Sequence, residues 1–427
     1  MNKRKKLLLL GGLSYLKPVI ETAHRLGIWV ATADYCPQNP AHQWSDEYFN
    51  VSITDFDAIL SLCRKLKIDG ILSFATDPGV VTAAKVAEIL ELPSPLNSVS
   101  TSILQNKFLF RTFLKNHNFN VPDFALFSSP SEAEEIFRDR GINSPVSNPK
   151  VIIKPVDSAG SKGVKVADTP DRINDCASEA LKYSLSGRGI IEEFIDKSGT
   201  SSDSECFFEN GILSFCSFSS QLFDNKSVGN LTPSCYLWPS DWSRSVKDYF
   251  KDELQRLGSL LNVGTGLFNV ECCVDKEGTT YIMEFSPRGG GNRLAEALKF
   301  STGIDLIEME VKRSVGIKNT VFPQLHSFHP TALLVVHANN SGYFNGLSIS
   351  PDIEQAVIDI RLIAKKGDYV KPFSSANYAL GTLLIDLEKI QNLSSSSRRD
   401  NTEIGNLLQN EIFVDLSADN QFLIRFI

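Results

Sequence analysis

The 427-residue chain reads as an α/β protein with a parallel sheet at its N-terminus, passing into an α+β centre and a β-rich end. Three observations predict this. Strand and helix patterns alternate over the first hundred residues. A strand–turn–strand pattern fills residues 267–288. Strand signals broken by turns run on from about Phe328.

The first strand is "KLLLLGG", in which Leu7 to Leu10 run into two glycines. Four apolar residues are too few for a signal peptide or a membrane span, so a buried strand is expected. "YLKPVIETAHRLG" has helical apolar spacing and ends in Gly27. "IWVATAD" is a second strand, "FDAILSLCRKLK" a helix, "DGILSFAT" a third strand and "VVTAAKVAEIL" a helix. This βαβαβ order implies parallel strands. Gly11-Gly12 is read as a structural turn, because the G-x-G-x-x-G spacing of a dinucleotide site is missing.

"ELPSPLN" (91–97) has the composition of a linker. One helix is expected over "VSTSILQNKFLFRTFLKNH", then a short helix "SEAEEIFRDR", the loop "GINSPVSNP" and a strand-rich middle. "SSSSRRD" (394–400) reads as a solvated loop. Composition is that of a soluble globular protein, with 42% hydrophobic and 22% charged residues. A net charge of −7 argues against a broad nucleic-acid surface. Eight cysteines without a C-x-x-C pair suit reduced thiols in a cytoplasmic protein.

Three stretches carry chemistry. In "VIIKPVDSAGSKGVKV" (151–166), strand, small-residue turn and strand follow one another. A P-loop has its lysine after the glycines and then a helix, whereas Lys154 precedes this loop. Backbone N–H groups of such a turn can approach phosphate oxygens closely. An ordinary hairpin with an exposed lysine is the alternative. In "GIIEEFIDKSG" (189–199), the strand end can offer backbone groups to an adenine edge, although Glu192 and Glu193 at an exposed edge are more often simply solvated.

"LFNVECCVDKEGTTYIMEFSPR" (267–288) reads as a hairpin turning at "DKEG". Pairing Val274 with Thr279 sets Phe268 against Phe285, Val270 against Met283 and Cys272 against Tyr281 on one apolar face. On the other face Glu271 and Glu284 become diagonal neighbours, roughly 7–8 Å apart. Two carboxylates beside glycine-rich backbone need a counter-charge, for which a hard cation such as Mg2+ is the natural candidate; a solvated hairpin face is the alternative. In the following "GGGNRL", the glycines are expected to let the backbone turn close to a substrate.

Taken in order, the βαβ domain, Lys107 in "QNKFLFR", Lys154 before the Ser/Gly loop, "EEFI" and "MEFSPRGGGNR" resemble the ATP-grasp superfamily of ligases. The similarity is greatest to the stand-alone carboxylate–amine ligases, which include dipeptide and amino-acid ligases; biotin carboxylase and carbamoyl-phosphate synthetase are more distant. It covers about residues 5–315, and "GYFNGLSISPDIE" onward resembles the β-rich final domain of the same branch. The resemblance implies a pre-ATP-grasp domain at 1–97 and a first ATP-grasp subdomain with lid at 98–190. A second subdomain with the metal site follows at 191–325, and a β-rich domain at 326–427.

It also implies residue roles. Lys107 and Lys154 would contact ATP phosphates, under a covering loop that includes Ser158, Gly160, Ser161 and Gly163. Glu192 and Ile195 would meet the adenine, and Asp203 would approach the ribose. Glu271 and Glu284 would hold Mg2+, for which Mn2+ can substitute. Arg288 would stabilise the transferring phosphoryl group. Ser286 stands where many relatives carry a metal-binding Asn; its hydroxyl can ligate Mg2+, and Asn292 is the other candidate.

The implied reaction joins a small carboxylate to an amine through an acyl phosphate, with ADP and phosphate released. The implied partners are these small molecules and a second copy of the chain, with no nucleic acid or membrane. A biotin-carboxylase-type enzyme using bicarbonate and a nucleotide-binding regulator without activity are the alternatives. Substrate choice is expected to depend on the N-terminal domain and on the less regular residues 219–240, for which a plain surface loop is the alternative. His326 and His329 lack a third ligand nearby and are read as structural.

Overall fold

The computed structural model describes residues 4–141, 150–227, 231–318, 325, 327–390 and 400–417. The chain opens with β1 (Lys6–Leu10), α1 (Lys17–Arg25), β2 (Trp29–Asp34), β3 (Glu47–Asn50), α2 (Phe56–Leu66), β4 (Gly70–Leu72) and α3 (Asp77–Ile89). These form a parallel sheet in the order β3-β2-β1-β4. Leu7 and Leu9 enter one core cluster and Leu8 and Leu10 another, so β1 is covered on both faces. The edge strand β3 was not expected, because "EYFN" is short and only half apolar.

The helix expected over residues 99–117 is two helices, α4 (Ser98–Gln105) and α5 (Lys107–Asn116). Asn106 is extended between them (φ −119°, ψ 112°), and its side chain accepts from Leu109 N–H as the cap of α5. The break places Lys107 on the first turn of α5. A four-stranded antiparallel unit follows: β5 (Phe124–Phe127), α6 (Pro130–Gly141), β6 (Val151–Pro155), β7 (Lys165–Ala167), α7 (Pro170–Tyr183) and β8 (Gly189–Glu193). Its order is β5-β8-β6-β7. Of the loop "GINSPVSNP", residues 142–149 lie outside the described residues.

Next come β9 (Ser202–Glu209), β10 (Ile212–Cys216), β11 (Ser220–Phe223), β12 (Pro233–Trp238), α8 (Arg244–Leu260), β13 (Gly266–Val274), β14 (Thr280–Ser286), α9 (Leu294–Thr302) and α10 (Leu306–Ser314). β10-β9-β13-β14 form one antiparallel sheet. Of residues 219–240, 228–230 lie outside the described residues, and the flanking parts are not irregular: β11 and β12 are paired strands, with Tyr236 and Trp238 buried. α7 and α8 were also unexpected in a region whose sequence reads as strand-rich.

The remainder is β15 (Thr331–Val336), β16 (Gly342–Ile349), α11 (Pro351–Glu354), β17 (Val357–Leu362), β18 (Tyr369–Val370), β19 (Gly381–Asp386), α12 (Asn401–Glu411) and β20 (Ile412–Ser417). A five-stranded sheet runs β11-β12-β15-β19-β17, and a smaller one β18-β16-β20. The larger sheet thus joins residues 220–238 to residues 331–386, across the boundary expected at 325/326. His329 holds Asp386 Oδ1 at 2.8 Å through Nε2, whereas His326 lies outside the described residues. Most of "SSSSRRD" also lies outside them; its last residue, Asp400, caps α12. Among the described residues no helix is long and apolar enough to cross a membrane.

The hairpin register differs from expectation. Val274 pairs with Thr280, Cys273 with Tyr281 and Cys272 with Ile282; beyond a bulge, Glu271 pairs with Glu284, Val270 with Phe285 and Asn269 with Ser286. Met283 is the extra residue. A one-residue slip at the turn is corrected by the bulge, which returns Glu284 to the face of Glu271. The two carboxylates are direct rather than diagonal neighbours. Arg111 Nη1 donates to the Met283 carbonyl (2.9 Å) and ties the bulge to α5.

Candidate active site

Two rows of polar side chains cross the β9-β13-β14 sheet. Glu271 opposes Asp203 on one side and Glu284 on the other; one pleat away Asn269 opposes Glu205 and Ser286. Alternation along each strand brings all six to one face. Asn269 Nδ2 donates to Asp203 Oδ1 at 2.7 Å. Burial and the Glu271 charge push Asp203 up to about 8. Glu205 is also raised to about 8 by burial, although Gly290 N–H donates to its Oε1 at 2.7 Å. Its Oε2 is buried without a hydrogen-bond partner.

Glu284 leaves 40% of its side-chain surface open, yet burial of the carboxyl among its neighbours and the Asp77 charge raise it. Arg288, four residues on, is buried and grips Asp77 with two bonds, Nε to Oδ1 (2.6 Å) and Nη2 to Oδ2 (2.7 Å). Burial disfavours the Asp77 anion, but Arg288 outweighs this and lowers it; Asp77 in turn raises Arg288. Ser286, expected at the metal, uses its buried hydroxyl elsewhere: it donates to Asp77 Oδ1 (3.2 Å) and accepts from Gln105 Nε2 (2.8 Å). Asn292, the other candidate, donates to Tyr236 Oη (3.2 Å).

The lysines approach from α5 and β6. Lys107 Nζ donates to the Ser158 carbonyl (2.6 Å). Burial lowers Lys107, while the Glu284 charge opposes the shift and Lys154 adds to it. Lys154 Nζ donates to Glu192 Oε2 (2.6 Å), and Arg111 Nε lies 2.8 Å from Glu192 Oε1. Glu192 is thus fully buried between two cations rather than solvated. Burial works against its charge, but Arg111 and Lys154 hold it down at about 2. Glu193 is exposed, and Ile195 is half-buried just past the end of β8.

The loop between β6 and β7 has positive φ at Gly160, Ser161 and Gly163 (67°, 59° and 70°). It is fastened at two points: Ala376 N–H donates to Gly160 O (3.4 Å), and Ser161 Oγ donates to Leu231 O (3.3 Å). The glycines after Arg288 serve close packing within the protein. A Cβ on Gly289 would stand 2.4 Å from the Phe74 ring, and one on Gly290 2.8 Å from Asn269 Nδ2. Only Gly291 has open space around it.

The structure therefore gathers Lys107, Lys154, Asp203, Glu271, Glu284, Ser286 and Arg288 into one charged cluster, with Ser158 touching it through Lys107. Five members were missed in the sequence: Asp77, Gln105, Arg111, Glu205 and Asn269. Signals existed for three. Asp77 follows the carboxyl end of a parallel strand, where ligands of such sheets bind. Arg111 lies four residues after Lys107, on the same helix face. Glu205 alternates with Asp203 on one strand.

The donor set fits Mg2+. All its donors are oxygens, and the raised Asp203 and Glu284 mark carboxylates short of positive charge. Among the described residues no three His, Cys, Asp or Glu side chains converge as a closed metal cage. Glu271 and Glu284 would accordingly hold the ion together with phosphate oxygens.

Residues 147–296 match the model of the ATP-grasp domain. A formate-dependent phosphoribosylglycinamide formyltransferase from Sulfurisphaera tokodaii is 26% identical over 86% of this chain and 90% of its own. An L-amino acid ligase from Bacillus licheniformis superposes with a TM-score of 0.76 at 19% identity, over 98% of this chain and all of the other. The biotin carboxylase domain of a Hydrogenobacter thermophilus 2-oxoglutarate carboxylase, bound to MgADP and bicarbonate, superposes with a TM-score of 0.70 at 13% identity, over 90% of this chain and 86% of the other.

Proposed function

We propose that the chain, whose residues 147–296 match the ATP-grasp domain, is an ATP- and Mg2+-dependent enzyme of the ADP-forming ligase class that joins a small carboxylate to an amine through an acyl phosphate. The observation that carries this reading is the single charged cluster in which Glu284, paired across the hairpin with Glu271, acts on Lys107 while Asp77 holds Arg288. Phosphoryl transfer needs mainly positioning and charge neutralisation, which this set provides.

Lys107 and Lys154 bind the phosphates, and Glu192 with Arg111 keeps Lys154 in place. Glu271 and Glu284 hold Mg2+, which when bound neutralises the phosphate oxygens. Ile195 and the end of β8 meet the adenine. The substrate carboxylate attacks the γ-phosphate, ADP leaves, and Arg288 stabilises charge on the transferred group. The amine then attacks the acyl carbon and phosphate departs. The loop over residues 158–163 covers the phosphates and keeps water from the acyl phosphate. Ser286 acts by bracing Asp77, and Asp203 belongs to the carboxylate row rather than to a ribose contact.

Formate is the first carboxylate to test, because the Sulfurisphaera relative is named for it; amino acids come next, after the Bacillus ligase. ADP release with MgATP is measured across carboxylate and amine panels, with glycinamide ribonucleotide among the amines. Release that needs both substrates, and a hydroxamate when hydroxylamine replaces the amine, is expected. Release dependent on bicarbonate but not on an amine would establish the carboxylase instead, and no substrate-dependent release would establish a regulator. Glu284→Gln should lower Mg2+-dependent turnover at least 100-fold with an unchanged circular dichroism spectrum; undiminished turnover would remove Glu284 from the metal site.

A further inference from the structure

β10 is the outer strand of the β10-β9-β13-β14 sheet, and among the described residues it pairs with β9 alone. That pairing is short and is broken by a bulge between Leu213 and Phe215. At its end Cys216 stands directly opposite Cys206. Ser217 N–H donates to Glu205 O (3.0 Å), so the hydrogen-bonded pair is the neighbouring one. Cys206 and Cys216 therefore occupy a pair without backbone bonds of its own, whose Cα atoms stand about 4.5 Å apart and whose side chains are drawn close. A disulfide spans Cα separations of about 4.4–6.8 Å, so this backbone can carry one. The two Sγ atoms already lie 3.1 Å apart.

The two thiols differ in access. Cys206 is fully buried, whereas Cys216 is half-buried. Both pack on the core cluster around Phe208 and Phe250. By alternation along β9, Cys206 points away from the face that carries Asp203 and Glu205. Burial pushes the Cys206 thiol well above its ordinary value, so it keeps its proton and does not meet an oxidant as a thiolate. Oxidant arriving from solvent reaches Cys216 first. Whatever forms there has the Cys206 sulfur at contact distance.

We propose that Cys206 and Cys216 are a peroxide-sensitive thiol pair that closes into a reversible disulfide, stapling β10 to the strand that bears Asp203 and Glu205. Hydrogen peroxide transfers an oxygen atom to Cys216 Sγ, giving a sulfenic acid and one water. Cys206 Sγ then attacks Cys216 Sγ, the S–O bond breaks, and hydroxide leaves with the Cys206 proton as a second water. The two thiols lose two electrons and two protons in total, and the peroxide is reduced to two waters. Closure also spares Cys216 from the irreversible step to sulfinic acid.

The test treats the reduced full chain with hydrogen peroxide, blocks free thiols with N-ethylmaleimide and reads the products by mass spectrometry. Cleavage after Glu209 leaves the two cysteines on separate peptides that only a disulfide joins. A Cys206–Cys216 link, two hydrogens lighter than the thiols and opened by dithiothreitol, is expected. It should form at least roughly tenfold faster than the buried Cys63 and Cys235 are modified. In Cys206→Ala, with an unchanged circular dichroism spectrum, Cys216 should advance to sulfinic acid that dithiothreitol does not reverse. In Cys216→Ser, Cys206 should stay unmodified at the same dose. No link, a link from either residue to Cys272 instead, or oxidation of Cys206 in Cys216→Ser as fast as in the parent would overturn the proposal.

Discussion

The interaction that most defines this molecule at the scale of one residue is the burial of Glu192. Its carboxylate sits between Arg111 and Lys154 with no exposure to solvent. A lone buried anion would cost several kcal/mol, but two cations reverse the balance. Glu192 drops from 4.5 to about 2 on folding, so its contribution is complete above pH 4.5 and disappears as pH falls through about 2. Glu192→Gln leaves Arg111 buried and unpaired and is expected to destabilise the fold by roughly 3 kcal/mol at pH 7. Urea titration measures this. The variant should also lose less stability than the parent between pH 4.5 and 2.5, and equal losses would show that Glu192 is not the group responsible.

Elements act here by holding side chains in register. β9, β13 and β14 place Asp203, Glu271 and Glu284 in one line, and the Met283 bulge is what keeps Glu284 in it. Crowding raises Asp203 from 3.8 to about 8. A raised carboxylate favours the fold fully below pH 3.8, and that advantage is lost as pH climbs through 8. In EDTA, therefore, the thermal midpoint should fall between pH 6 and 8.5, and Mg2+ should restore more of it at pH 8.5 than at pH 6. Asp203→Asn should flatten this decline and raise the midpoint at pH 8.5 in EDTA, with Glu205 leaving a residual slope. A decline as steep as that of the parent would assign the effect to other groups.

Across the whole molecule, the N-terminal sheet is joined to the later segments through α10 and the segment after β14. Arg25 pairs with Glu308, Arg313 Nη1 donates to Pro93 O, and Ala75 N–H donates to Gly289 O. The approach is closest at Gly70, where a Cβ would stand 2.0 Å from the Ser314 carbonyl oxygen. Backbone cannot yield as a side-chain tip can. Gly70→Ala is expected to cost roughly 2 kcal/mol and to slow turnover, because β4 carries the chain to Asp77. Calorimetry and steady-state kinetics check both; an unaltered midpoint would mean that this joint is pliable.

Local spacing by itself determined the parallel N-terminal sheet, the small-residue loop after Lys154 and the hairpin bearing Glu271 and Glu284, since period-2 and period-3.6 patterns and turn residues act within a few positions of one another. It failed where distant residues compete for a group. Nothing near Glu192 in sequence announces Arg111, and nothing near Arg288 announces Asp77. The mixed polar composition of residues 219–240 hides that β12, with β11 beside it, pairs with β15, whose partner residues lie 93–99 positions further on. Only the tertiary structure decided these, because the partner of a buried charge, and the side of a strand that meets the core, depend on which surfaces the whole chain brings into contact.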